Sequence, residues 1–353
     1  MSPKSVSLMA IALLVVLSAP VMTGVADGAS GDGGSYYRDQ LDDNGKGLYD
    51  YVVTTLDGLE AEPVNDARLS YTMVAPTGAD AVTYAESVVN DALAALYLSD
   101  PSYIWMWDYP ITDVTVTTVT EGTDGGTSVS VSFVLSVPER YADNPETEQN
   151  EVADAIAALN GAVEAREGDV RSIVSSINDT LRGVSVVDDG EGTISSPLDA
   201  LVGRSSSSVG ISAAFTILCN ASGVDCVTVK GYAPSDGAED GRSTVYWNEV
   251  SEEGLWYAVD CTLNSGEARN CLMAGSSTRM TVDGATERFG GIRSADLDML
   301  DVNSLEAPTL QVVGVEWPDD RSFFDRYGIY VFLVLVCVIV MAVLVHAVRT
   351  GNI

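Results

Sequence analysis

The chain is 353 residues long and carries 51 acidic against 18 basic side chains, a formal net charge of −33 at pH 7. That length gives room for one or two folded domains with a sizeable core. The acidity excludes nucleic acid and anionic lipid surfaces as partners, because both would be repelled.

The first 26 residues hold a single Lys4, an apolar run from Leu8 to Leu17 and small residues ending at Gly24, Val25 and Ala26. This is the layout of a signal peptide over 1–26, read as cleaved after Ala26 or kept as an uncleaved anchor. Residues 328–348 carry no formal charge over 21 positions, enough helix to cross a hydrocarbon core of about 30 Å. The arrangement predicts a single-pass protein at the cell membrane, with its N-terminal domain outside and a cytoplasmic stub at 349–353. All 51 acids and 16 of the 18 basic residues lie between the two apolar segments. Only three lysines occur, Lys4, Lys46 and Lys230. Such a surface suits either salty surroundings or the solubility of a surface domain.

After a Gly-rich leader at 29–35, a helix is expected from Tyr36 to Leu59, with apolar positions at Leu41, Leu48, Val52 and Leu56. Within it, DDNGKG (42–47) has the composition of a calcium loop but not its register, so it reads as a helix start or kink. A strand follows at 67–76, then a helix at 79–98. Two alternating β-rich runs, 111–122 and 127–138, flank TDGG and predict a hairpin. These elements make a small α+β leader domain, 36–145. A long helical region is expected from 146 to 181, broken near Gly168.

A second domain, 146–318, begins its motif core at Pro197. The run GRSSSSVG leads into a small-residue helix, 208–221, that ends at Gly223. Strands are expected at 224–232, 242–250 and 254–263, and one more at 309–317. A helix followed by an antiparallel meander is α+β. Cys219, Cys226, Cys261 and Cys271 lie in the exported part, where disulfides persist, and allow three pairings; the short loops favour Cys219–Cys226 and Cys261–Cys271. Asn178 and Asn220 begin glycosylation sequons, meaningful only if exposed.

The order SVGISAAF, then VYWNEV, then GLWYAVDC over 197–263 resembles the transglutaminase-like superfamily. The resemblance implies a papain-like core, a helix packed on an antiparallel sheet, and the preceding part is similar to the leader domains of some bacterial and archaeal members. It also implies a Cys-His-Asp triad. Ser208 stands where the family has its cysteine, Val245 where it has its histidine, and Asp260 matches its aspartate. Trp247, Asn248, Trp256 and Tyr257 are then expected to line the cleft.

A serine hydroxyl attacks only when a positioned base takes its proton, and valine cannot do so. The single histidine, His346, lies in the apolar C-terminal segment. Lys230 and the carboxylates Glu249 and Asp260 are the remaining bases, none placed by its spacing near Ser208. Without catalysis, Ser208 reads as a helix N-cap. With no exterior histidine, zinc is disfavoured, and no metal or cofactor is expected. The expectation is a non-catalytic, membrane-anchored module binding protein or peptide. The alternatives are an active transglutaminase-like peptidase or acyltransferase with a non-standard catalytic set, and a structural cell-envelope protein.

Overall fold

The computed structural model describes residues 35–59, 66–102, 115–121, 126–136, 150, 154, 157, 169–187, 196–235, 241–264, 271–282, 285–297 and 304–317. The signal (1–26), the apolar segment (328–348), the stub (349–353) and most of the helical region before residue 169 lie outside them. Among the described residues no helix is long and apolar enough to cross a membrane.

The first helical region is two helices, α1 (Tyr36–Gln40) and α2 (Asp43–Leu59). The break falls in DDNGKG, where Asp42 Oδ1 accepts the Gly45 N–H at 2.7 Å and starts α2. Strand β1 (Asp66–Ala75) follows, then α3 (Ala81–Ser99), whose N-cap Asp80 accepts from the Thr83 N–H. The hairpin is β2 (Thr115–Glu121) and β3 (Thr127–Ser136), and β1 pairs antiparallel with β3 to give the order β1-β3-β2. Alternation buries Leu69, Met73, Val129, Val131, Phe133 and Leu135 on one face of this sheet.

Helix α4 (Val170–Leu181) begins at the N-cap Asp169, and β4 (Ser185–Val186) pairs in parallel with β5 (Ser205–Ser206). A wide helical turn, Asp199–Gly203, leads into α5 (Ser208–Ala221). Almost every residue of α5 is buried, as befits a helix that is apolar or small all round. Gly223 ends it at φ +70°: its N–H bonds the Asn220 carbonyl and the Val224 N–H bonds that of Cys219. This is a Schellman closure, which glycine adopts without a Cβ clash.

The second sheet has the order β11-β6-β7-β8, built from β6 (Cys226–Pro234), β7 (Arg242–Glu252), β8 (Leu255–Val259) and, after a hairpin of β9 (Arg279–Val282) and β10 (Ala285–Arg288) and the short α6 (Phe289–Ile292), β11 (Ser294–Ala295). Gly231 lets β11 approach β6, since a Cβ there would meet the Ser294 carbonyl and Trp247. The expected strand at 309–317 is not one. It makes a single bridge, Leu310 to Trp256, and Val312 and Val313 are both exposed, so the alternation a half-buried strand needs is missing.

One continuous core joins the leader elements to this sheet, running from Tyr37, Leu93 and Phe133 to Val227, Val229, Trp247 and Phe289. Polar ties accompany it. The Tyr37 hydroxyl donates to the Thr228 carbonyl at 3.2 Å, and the Asn220 amide to the Ser99 carbonyl at 2.9 Å. The Gln40 side chain exchanges two hydrogen bonds with the Glu306 backbone.

Candidate functional site

Ser208 is the first helical residue of α5, not its cap; Ser207 holds that place. Its side chain is buried, 3 % exposed, and its Oγ accepts the Tyr246 N–H at 2.9 Å. The reason lies in the ladder. Pairing between β7 and β8 stops at Asn248–Val259, so the β7 backbone needs another partner beyond that point. The mouth of α5 supplies it. Ser208 and the VYWN segment therefore do meet, through the backbone next to Val245.

The helix is stitched to the sheet further along as well. Asn248 Nδ2 donates to the Ser212 carbonyl and to Thr216 Oγ1, both at 2.9 Å, and Thr216 bonds Thr228 across the same face. By strand alternation, Tyr246 and Asn248 face α5, whereas Val245, Trp247 and Glu249 share the opposite face. There Val245 packs against the core and pairs with Gly231. The position expected for a base is filled by an apolar side chain turned inward.

Asp260 follows the end of β8 and is 1 % exposed. It is fully engaged. Arg293 places Nε and Nη2 each 2.8 Å from Oδ2, while the Thr262 N–H and hydroxyl donate to Oδ1. Both oxygens of Asp260 therefore accept from donors other than an imidazole. Arg293 carries no local signal in the sequence, because it lies 33 residues away and meets Asp260 only through the fold.

Of the expected cleft-lining residues, Trp247 and Asn248 are core. Trp247 is 2 % exposed, edge-on to Phe289, with its indole N–H donating to Glu249 Oε1 at 3.2 Å. Trp256 and Tyr257 are half-buried, and Trp256 packs edge-on against Tyr36. Glu249 itself is a residue the motif did not mark as unusual. It is buried on β7 near enough for its charge to act on Tyr36 and Tyr37 of α1, its Oε2 has no hydrogen-bond partner among the described residues, and desolvation pushes its carboxyl up to about 8, opposed by the Trp247 donor.

The cysteine expectation is corrected. Cys219, Cys226, Cys261 and Cys271 are four buried free thiols, unbridged in either favoured pairing. Burial pushes the Cys219, Cys261 and Cys271 thiols well up, so none is a ready thiolate. Asn178 does not meet the exposure a glycan needs: it is completely buried, and its Oδ1 accepts from Asn264 and Cys261. Asn220 is half-buried and spends its amide on Ser99. Asn264 in turn clasps the backbone N–H and carbonyl of Cys271. Among the described residues no three His, Cys, Asp or Glu side chains are grouped to hold a metal ion.

No protein-family model matches the chain. Two curated proteins do match locally: Kyphoscoliosis peptidase of Mus musculus, 37% identical over 75 residues, and that of Homo sapiens, 36% identical over 75 residues. The match covers 20% of this chain and 11% of each relative, so the chain spans about a tenth of their length. Among solved structures, a candidate cysteine protease from Cytophaga hutchinsonii aligns with a TM-score of 0.26 and 12% identity over 43% of this chain and 66% of its own, a likeness too slight to bear on the fold. The chain is a mixed helix-and-sheet protein with a 75-residue stretch similar to a named peptidase.

Proposed function

We propose that the chain is a transglutaminase-like domain with a papain-like core that binds protein or peptide outside the cell, is held at the membrane by residues 328–348, and does not turn its ligand over. The observation that carries this reading is the state of Ser208. Its hydroxyl is buried and serves as acceptor for the Tyr246 N–H, an architectural use of the oxygen. Two features support it. Val245 offers no base and packs into the core, and Asp260 is neutralised by Arg293. The sole histidine lies at 346, in the apolar segment.

A second reading, an active peptidase or acyltransferase with a non-standard base, draws on the similarity to a named peptidase and on Lys230. That lysine pairs with Tyr246 across β6 and β7, with Nζ 5.7 Å from the tyrosine ring centroid, on the face toward α5. The two readings separate in one experiment. The purified full chain is incubated with fluorogenic peptides and a γ-glutamyl amide, and both product release and fluorescence anisotropy are followed. Saturable anisotropy without product is expected, unchanged in Ser208→Ala. Product release that Ser208→Ala or Lys230→Met abolishes establishes the second reading.

A further inference from the structure

The β9–β10 hairpin and α6 border an open surface groove of about 660 Å³ lined by Ser276, Arg279, Thr286, Glu287, Arg288 and the two glycines Gly290 and Gly291. This lies within the range of small-ligand sites, about 300–1,000 Å³. Arg279 and Arg288 are directly opposite each other in the antiparallel register, and both are exposed. Neither guanidinium has an ion pair or a hydrogen bond among the described residues. That arrangement is unfavourable by itself, since like charges facing across a strand pair repel. It is also unexpected in this chain, where acids outnumber bases by 51 to 18 and carboxylate partners are plentiful.

The lining defines what would relieve the repulsion. Two arginines and one glutamate give the groove a net charge of +1, and the hydroxyls of Ser276 and Thr286 add neutral donors. A guanidinium presents a planar fork that matches a carboxylate with two parallel hydrogen bonds. The same fork fits phosphate oxygens, so it is the peptide-binding reading that selects a carboxylate here. A Cβ built on Gly291 would meet nothing within 4 Å, so this wall leaves space for a chain to continue beyond the anchored group.

We propose that this groove binds a peptide through one carboxylate, held between Arg279 and Arg288. The ligand class rests on the peptide-binding reading given above, whereas the location does not. The site is separate from the Ser208 region, although α6, its wall, runs straight into Arg293 and thus into the partner of Asp260.

The test uses the purified full chain and four probes: N-acetyl-trialanine with a free C-terminus, N-acetyl-Ala-Glu-Ala amide, N-acetyl-trialanine amide and inorganic phosphate. At least one carboxylate peptide is expected to bind ten-fold or more tightly than the neutral amide. Which one it is separates a chain terminus from an acidic side chain as the source. Arg288→Gln should weaken that binding about ten-fold, while Arg242→Gln, on β7, leaves it unchanged. The thermal midpoint of Arg288→Gln should stay level or rise, because the cross-strand repulsion is removed, and this separates lost binding from lost folding. Equal binding of acid and amide peptides, full affinity in Arg288→Gln, or phosphate binding more tightly than either carboxylate peptide would overturn the assignment. In the first two cases peptide binding itself survives and only its place is wrong; binding of no peptide removes both.

Discussion

Ser208, Val245 and Asp260 each hold a structural place in the fold. The serine oxygen accepts a strand N–H, the half-buried valine packs against the core, and the aspartate pairs with the Arg293 guanidinium. Glu249 is the residue whose chemistry is most exposed to test. Its carboxyl stands at about 8 in the folded chain against 4.5 for an ordinary glutamate. Below pH 4.5 both folded and unfolded forms hold the proton. Between 4.5 and 8 the unfolded chain has lost it while the folded chain keeps it, so stability falls as pH rises, by at most about 1.4 kcal/mol per pH unit for this group. Above 8 its contribution is level. Glu249→Gln should flatten that part of the pH profile, as read by chemical denaturation at pH 5, 6.5 and 8, with the largest gain over the parent chain at pH 8.

At the level of elements, much of the second half was legible because local chemistry and tertiary need agree. Small residues throughout 208–221 suit a helix with no solvent face, and Gly223 closes it. The β-rich runs at 226–234 and 242–252 are strands that pair in the expected meander, although each buries four consecutive residues and so does not alternate. The β9–β10 hairpin escaped notice because four-residue strands with exposed arginines give too short an alternation to read. The run at 309–317 misled for the opposite reason: it is apolar, yet Val312 and Val313 face solvent, and its backbone bonds Trp256 once before turning to Ser276 and Ser277. Arg293 and the unbridged thiols depend on contacts between distant segments, which no window of sequence displays. Gly210 is an element-scale requirement that can be checked. A Cβ there would lie 2.6 Å from the Ser196 carbonyl oxygen and also meet Ser206, so α5 could not keep its place beside the turn. Gly210→Ala should destabilise by roughly 1–3 kcal/mol in denaturant titration, despite alanine's better helix propensity.

The whole molecule is governed by its charge and by its shared core. With 51 acids against 18 bases, self-repulsion works against the compact state at low salt. Raising salt from about 0.1 M to about 1 M shortens the screening length from roughly 10 Å to 3 Å. The thermal midpoint should therefore climb over that range in scanning calorimetry, and a flat response would show that the acids are already separated or paired well enough. The core described above, from Tyr37 and Leu93 to Val229 and Trp247, has a further consequence for how such a chain can change over time. The two halves cannot be traded independently among proteins, as beads on a string can. A recombination point between them would uncover the part of the second sheet that packs on Tyr37 and Leu93, and the flank of the leader helices that covers it. Any lineage that keeps the second half must inherit the first along with it, and the Tyr37 hydroxyl, bonded to the Thr228 main-chain carbonyl, keeps its partner whatever side chain position 228 carries.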